Sequence, residues 1–265
     1  MADYPNLNAQ IKISAPLPHQ SRAACRVASP VVEEIGIRLD ETVLAKLYTA
    51  VVSPDADDCR QAVKEVVATG VRPEDLSDFY IPSIARKMGD LWCVDELSFA
   101  SVTIGASRLQ AMLRVLGPDW SSNAASDPHA PSLLLVVPQD VYHTLGAIVL
   151  SGQLRRKGLS VKLILGGKPE DIAKRISITK YDGIFISSSV GEALYTLRLL
   201  VDAVRSSTKK PPPIVVGGTI LEVETKENVI ALTGADYATR NPEEALKLCG
   251  LQDITHNSIK MKHGT

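Results

Sequence analysis

The chain has 265 residues, 45% hydrophobic and 22% charged, with a net charge of -1. That length accommodates one large or two modest domains with a substantial core, and the near-neutral balance offers no basic footprint for wrapping DNA or an anionic membrane. No apolar run approaches the ~18 residues of a membrane span, and the opening MADYPNLNAQIKIS lacks a signal-peptide pattern, so no membrane association and a cytoplasmic location are expected.

Residues 1–32 place Pro5, Pro16, Pro18 and Pro30 among polar residues, which predicts a flexible arm. From 33 to 116 the apolar period is helical. Leu44, Leu47, Tyr48 and Val51 fall at i, i+3, i+4 and i+7, as do Leu109, Met112, Leu113 and Leu116. Breaks at SPDAD (53–57), where Ser53 and Pro54 are suited to cap and open a helix, and at TGVRPED (69–75) divide the region. Helices are predicted near 41–52, 55–69, 74–90 and 95–116, and their short connections predict a four-helix bundle.

The stretch GPDWSSNAASDPHAP, 117–131, has a linker composition. Beyond it, over 132–250, the apolar runs SLLLVVP, VKLILGG, GIFISSS and PIVVGG alternate with helical segments near 144–158, 169–180, 190–206 and 220–233. A fifth strand at 236–240 and the helix NPEEALKLCG follow, and 251–265 form a tail. Strands buried on both faces and alternating with helices predict a flavodoxin-like (Rossmann-type) α/β domain, a doubly wound five-stranded parallel sheet. The four cysteines, Cys25, Cys59, Cys93 and Cys249, are far apart and form no C-x-x-C pair, so they are read as buried or free thiols.

Ligands of such sheets bind beyond the C-terminal ends of the strands. The first strand is followed there by Asp140-Val141-Tyr142-His143-Thr144-Leu145-Gly146, the third by Ser187-Ser188-Ser189 and the fourth by Gly217-Gly218. A histidine, hydroxyls and bare backbone thus converge on one rim. The order H-x-x-G, then serine, then G-G resembles the cobalamin-binding domain family. Its serine element is either Ser187-Ser188-Ser189 or Ser188-Ser189-Val190, which leave 40 or 41 residues after Gly146.

That resemblance implies cobalamin with His143 as lower axial cobalt ligand in place of the cofactor's own base. It also implies passage for the nucleotide tail at Gly146, hydroxyls for the tail at the serines and close backbone approach at Gly217-Gly218. In the family an aspartate two residues before the histidine orients it. Here Asp140 stands three before. MGDLW (88–92) resembles the G-x-x-W of the CarH-type repressors, whose helical modules, like that of methionine synthase, cover the corrin, so Trp92 is a cofactor-covering residue in this reading. The Glu-His pair those repressors carry ten and eleven residues later is replaced by Val102 and Thr103, and His19 in the arm is the candidate upper ligand.

YHTLGAIVLSGQLRRKG, ISSSVGEA, MGDLW and IGASRLQ together resemble the AerR/PpaA family of photosynthesis-gene regulators over residues 35–250. The resemblance implies a light- and oxygen-responsive antirepressor, without catalytic residues, that acts on a PpsR/CrtJ-type repressor; the neutral charge and the lack of a helix-turn-helix pattern predict no direct sequence-specific DNA binding. The alternatives are a corrinoid methyl carrier, which the displaced aspartate disfavours, and a cofactor-free or haem-binding interaction module.

Overall fold

The computed structural model describes residues 39–117, 130–139, 141, 143–191 and 193–251. The expected arm and tail lie outside these residues, as does most of the expected linker.

The N-terminal helices are α1 (Glu41–Val52), α2 (Asp57–Ala68), α3 (Pro73–Asp75), α4 (Ile81–Cys93) and α5 (Phe99–Val115). Asp40 caps α1 by accepting from the Thr42 and Val43 N–H groups. Helix α2 starts at Asp57 rather than 55, because Ser53 turns back to accept from the Asp55 N–H instead of capping a helix. The predicted helix 74–90 is interrupted by a π turn at Leu76–Tyr80. It ends two residues before Pro82, which has no N–H for the regular ladder. Helix α5 begins at Phe99, not 95, since Asp95 takes a left-handed φ of 59° and Ser98 caps the following turn.

These segments share one core of Leu47, Val51, Val63, Val66, Leu76, Ile84, Met88, Leu109, Met112 and Leu113. The IGASRLQ motif gains a physical account there. Gly105 lets α5 approach α4, because a Cβ on it would stand 2.0 Å from the Met88 Cε. Arg108 donates to the carbonyls of Val51, Ser53 and Pro54 and so satisfies the C-terminus of α1.

The second half contributes β1 (Ser132–Pro138), α6 (Leu145–Arg156), β2 (Ser160–Gly167), α7 (Pro169–Ile178), β3 (Gly183–Ser187), α8 (Leu194–Ser207), β4 (Ile214–Gly217), α9 (Lys226–Thr233), β5 (Tyr237–Ala238) and α10 (Pro242–Leu248). All strand pairs are parallel, in the order β2-β1-β3-β4-β5, which is the flavodoxin-like order. Leu134, Val136, Ile184 and Ile186 face α7, α8 and α9. Leu133, Leu135, Val137 and Phe185 face α6 and α10. The VKLILGG run was expected to be buried on both faces, but β2 is an edge strand and only partly buried. The predicted helix 220–233 resolves into a 3-10 turn, Thr219–Glu222, and α9.

Helix α6 joins the halves. Ala147 and Leu154 pack on the sheet, whereas Val149, Leu145 and Ile148 enter the core of the helical bundle. The half-buried Arg156 pairs with Asp78 of the π turn. Cys93 is disulfide-bonded, which corrects its reading as a thiol, while Cys59 and Cys249 are free. Burial raises the Cys249 thiol to about 11, leaving it protonated and unreactive at neutral pH.

Arg108→Met removes the cap of α1 while keeping an apolar stem of similar length. Urea unfolding should show it less stable by about 1.5–3 kcal/mol, the range for hydrogen bonds to a charged group.

Candidate functional site

The reversal of strand order falls between β1 and β3, and the loops leaving their C-terminal ends part there to opposite faces of the sheet. That divergence opens a crevice at the rim. His143 stands in the connection from β1 to α6 and is exposed. Thr144 follows as the N-cap residue of α6, and Leu145 and Gly146 form its first turn. A Cβ on Gly146 would meet nothing within 4 Å, so this turn borders open space. Asp140 and Tyr142 lie outside the described residues, as does His19.

Across the crevice, Ser187 ends β3 half-buried, and Ser188 and Ser189 are buried in the loop beyond it. Ser187 is in register with Gly217. The Ser188 N–H donates to the Gly217 carbonyl at 2.8 Å, and the Val190 N–H donates to Thr219 Oγ1 at 3.1 Å. The β3 and β4 loops are thereby laced into one wall.

Gly218 makes this lacing possible. Its φ is 103°, and a Cβ there would stand 2.1 Å from the Ser188 carbonyl oxygen. A Cβ on Gly217 would stand 2.7 Å from the Thr239 carbonyl oxygen. The two glycines thus serve contacts within the rim itself.

The helical half reaches the same rim. Gln110 of α5 donates to Thr144 Oγ1 at 3.0 Å, one residue from His143. Arg86 of α4 lies within electrostatic reach of Glu222 and Arg240, which pair with each other at 2.6 Å beyond β4 and β5. Trp92 is half-buried, and its ring centroid lies 6.2 Å from that of Phe99, which is 68% exposed. Sequence reasoning missed Thr219, Gln110, Glu222, Arg240 and Phe99. Only Phe99 had a local signal, as an aromatic on the polar side of a helical pattern.

The donor chemistry fits a corrinoid. Cobalamin brings four equatorial nitrogens of its own, so a single accessible imidazole such as that of His143 would be enough for the protein to hold the cobalt. Open space beside Gly146 suits a displaced tail. Among the described residues no group of three or more His, Cys, Asp or Glu is placed to hold a bare metal ion, and no described helix is long and apolar enough to cross a membrane.

Fold and rim together define a corrinoid-binding protein, a helical module joined to a doubly wound cobalamin-binding domain. Residues 131–247 match the B12 binding domain family, and cobalamin is the cofactor of this domain. The fold resembles that of the monomethylamine corrinoid protein of Methanosarcina barkeri, with a TM-score of 0.65 and 17% identity over 81% of this chain and 99% of that one. The chain is also 32% identical over 177 residues to the uncharacterized 20.5 kDa protein of the bchF-crtJ intergenic region of Rhodobacter capsulatus, spanning 67% of this chain and 91% of that protein. It belongs to the AerR/PpaA family of cobalamin-binding proteins.

Gly218→Ala forces a left-handed φ and a backbone clash on a residue bearing Cβ. Thermal melting should report a loss of about 3 kcal/mol, far more than the same change at Gly146, where the Cβ meets nothing and melting should be unchanged or slightly higher.

Proposed function

We propose that the protein is a non-enzymatic, light- and oxygen-responsive regulator that binds cobalamin base-off through His143 and relieves a PpsR/CrtJ-type repressor of photosynthesis and tetrapyrrole genes. The observation that carries the proposal is the position of His143, exposed at the mouth of the switch-point crevice and one residue from the hydrogen bond that ties the helical half to the rim. The origin of the Rhodobacter relative, between bchF and crtJ, supports the link to photosynthesis genes.

When bound, cobalamin would supply a cobalt centre responsive to light and oxygen. The imidazole of His143 would hold it. Gly146 leaves room for the tail, and Ser187, Ser188, Ser189, Gly217 and Gly218 form the wall along which it runs. Trp92 and Phe99 offer apolar cover from the helical side. A change above the cobalt alters partner binding only if the protein's two states differ in affinity for the ligand. The Gln110–Thr144 bond and the packing of α6 on both halves supply the mechanical connection between the site and the bundle.

Purified protein mixed with hydroxocobalamin should develop a histidine-ligated, base-off absorption spectrum. His143→Ala should lose that spectrum and at least tenfold in affinity, while melting like the parent without ligand. Gly146→Leu should fold normally and also bind at least tenfold more weakly. Illuminated holoprotein should reduce repressor–operator binding in a gel-shift assay, and dark apoprotein should not. An unchanged spectrum in His143→Ala refutes the ligation. Release of a cobalt-bound methyl group to an added thiol acceptor by a partner methyltransferase, with no effect of light on the repressor, favours a methyl carrier instead.

A further inference from the structure

One edge of the sheet presents a second surface. Strand β2 is one of the two edge strands and, at eight residues, the longest described strand. The Ser160 N–H donates inward to the Pro131 carbonyl, so by the alternation of a parallel ladder the N–H and C=O groups of Val161, Leu163 and Leu165 point outward. Arg155 donates to the Val161 carbonyl at 3.0 Å. No described residue bonds the outward groups of Leu163 or Leu165. An uncovered edge of this length is a template for another strand.

A groove of about 570 Å³ runs beside this edge, between β2 and α7, lined by Lys162, Leu163, Asp171, Lys174, Arg175 and Ile178 among others. Ile178 is 76% exposed and Leu165 46% exposed, so apolar footholds flank the open backbone. Residues 160–180 carry five cations, Lys162, Lys168, Lys174, Arg175 and Lys180, against Glu170 and Asp171, a local net charge of +3 in a chain of net charge -1. None of the five forms an ion pair with a described residue.

We infer that the β2 edge and the β2–α7 groove are a docking site for an extended acidic segment of a partner protein, which adds to the sheet as a sixth strand. Main-chain pairing supplies affinity, and the cations with Ile178 select the sequence. Charge decides among the possible occupants. A second copy would set one +3 edge against another. Residues 1–38 and 252–265 each carry a net charge of +1, and 118–129, although at -2, contain two prolines and no β-branched residue. Nucleic acid would match the charge but not the open ladder or the apolar footholds. The inference does not depend on the cofactor.

The test uses the full chain and a fluorescein-labelled heptapeptide alternating glutamate with valine, followed by fluorescence anisotropy. Three comparisons should each weaken binding at least tenfold: a lysine-for-glutamate peptide, a peptide N-methylated on alternate amides, and the surface double variant Lys162→Glu/Arg175→Glu, whose melting should match the parent. Bound peptide should slow amide exchange at Leu163 and Leu165 at least tenfold. Equal binding of the N-methylated peptide reduces the site to charge alone and overturns the proposal. So does protection of Leu163 and Leu165 before peptide is added, which would mean that the edge is already covered by this chain or a second copy, and so does displacement of the peptide by a short DNA duplex of equal concentration.

Discussion

Helix α6 is buried on two sides, and the arrangement of the molecule depends on that constraint. One side of it closes the sheet through Ala147 and Leu154, and the other inserts Val149, Leu145 and Ile148 into the helical core. The buried positions of this helix include the small residues Ala147, Ser151 and Gly152. Ser151 resolves its own hydroxyl by donating to the Ile148 carbonyl at 2.7 Å. Rotation of α6 would open one core or the other, so its start at Thr144 and Leu145 is held in place. His143 immediately precedes that start.

Around this helix the rim is built from two walls of different character. The wall from β3 and β4 is rigid, with backbone hydrogen bonds and two glycines drawing Ser188, Gly217 and Gly218 together at distances that no side chain tolerates. The wall from β1 and α6 is open at Gly146 and carries an exposed imidazole. A closed wall opposite an open one makes the rim asymmetric. From the bundle, Gln110 bonds to the rim at Thr144, and Arg86 lies within electrostatic reach of the Glu222–Arg240 pair.

Much of this was legible in the sequence because the signals were local. The helical period from Leu44 to Val51 and the apolar run SLLLVV each follow from burial at a fixed spacing, and the order of strands and helices fixed the rim on which His143, the serines and the glycines meet. The departures have equally local causes. Asp95 breaks α5 at its start, the π turn precedes Pro82, and Gly191, with a φ of 89°, delays α8. The missed residues are of another kind. Thr219, Gln110 and the Glu222–Arg240 pair are ordinary polar residues in sequence, and their partners lie 18 to 34 positions away.

The sequence by itself determined the two halves, the parallel sheet and the histidine–serine–glycine order, since each rests on periodicity and spacing along the chain. Tertiary structure alone decided that β2 lies at the edge, that α6 belongs to both cores, and that Gly217 and Gly218 serve the protein's own backbone. A run such as VKLILGG reads the same whether its strand has one neighbour or two, because apolar content reports burial somewhere and not the number of partners. Likewise a glycine pair reads as bareness. What occupies the space around it, here the Ser188 and Thr239 carbonyls, is set by chain that lies far off in sequence and close in space.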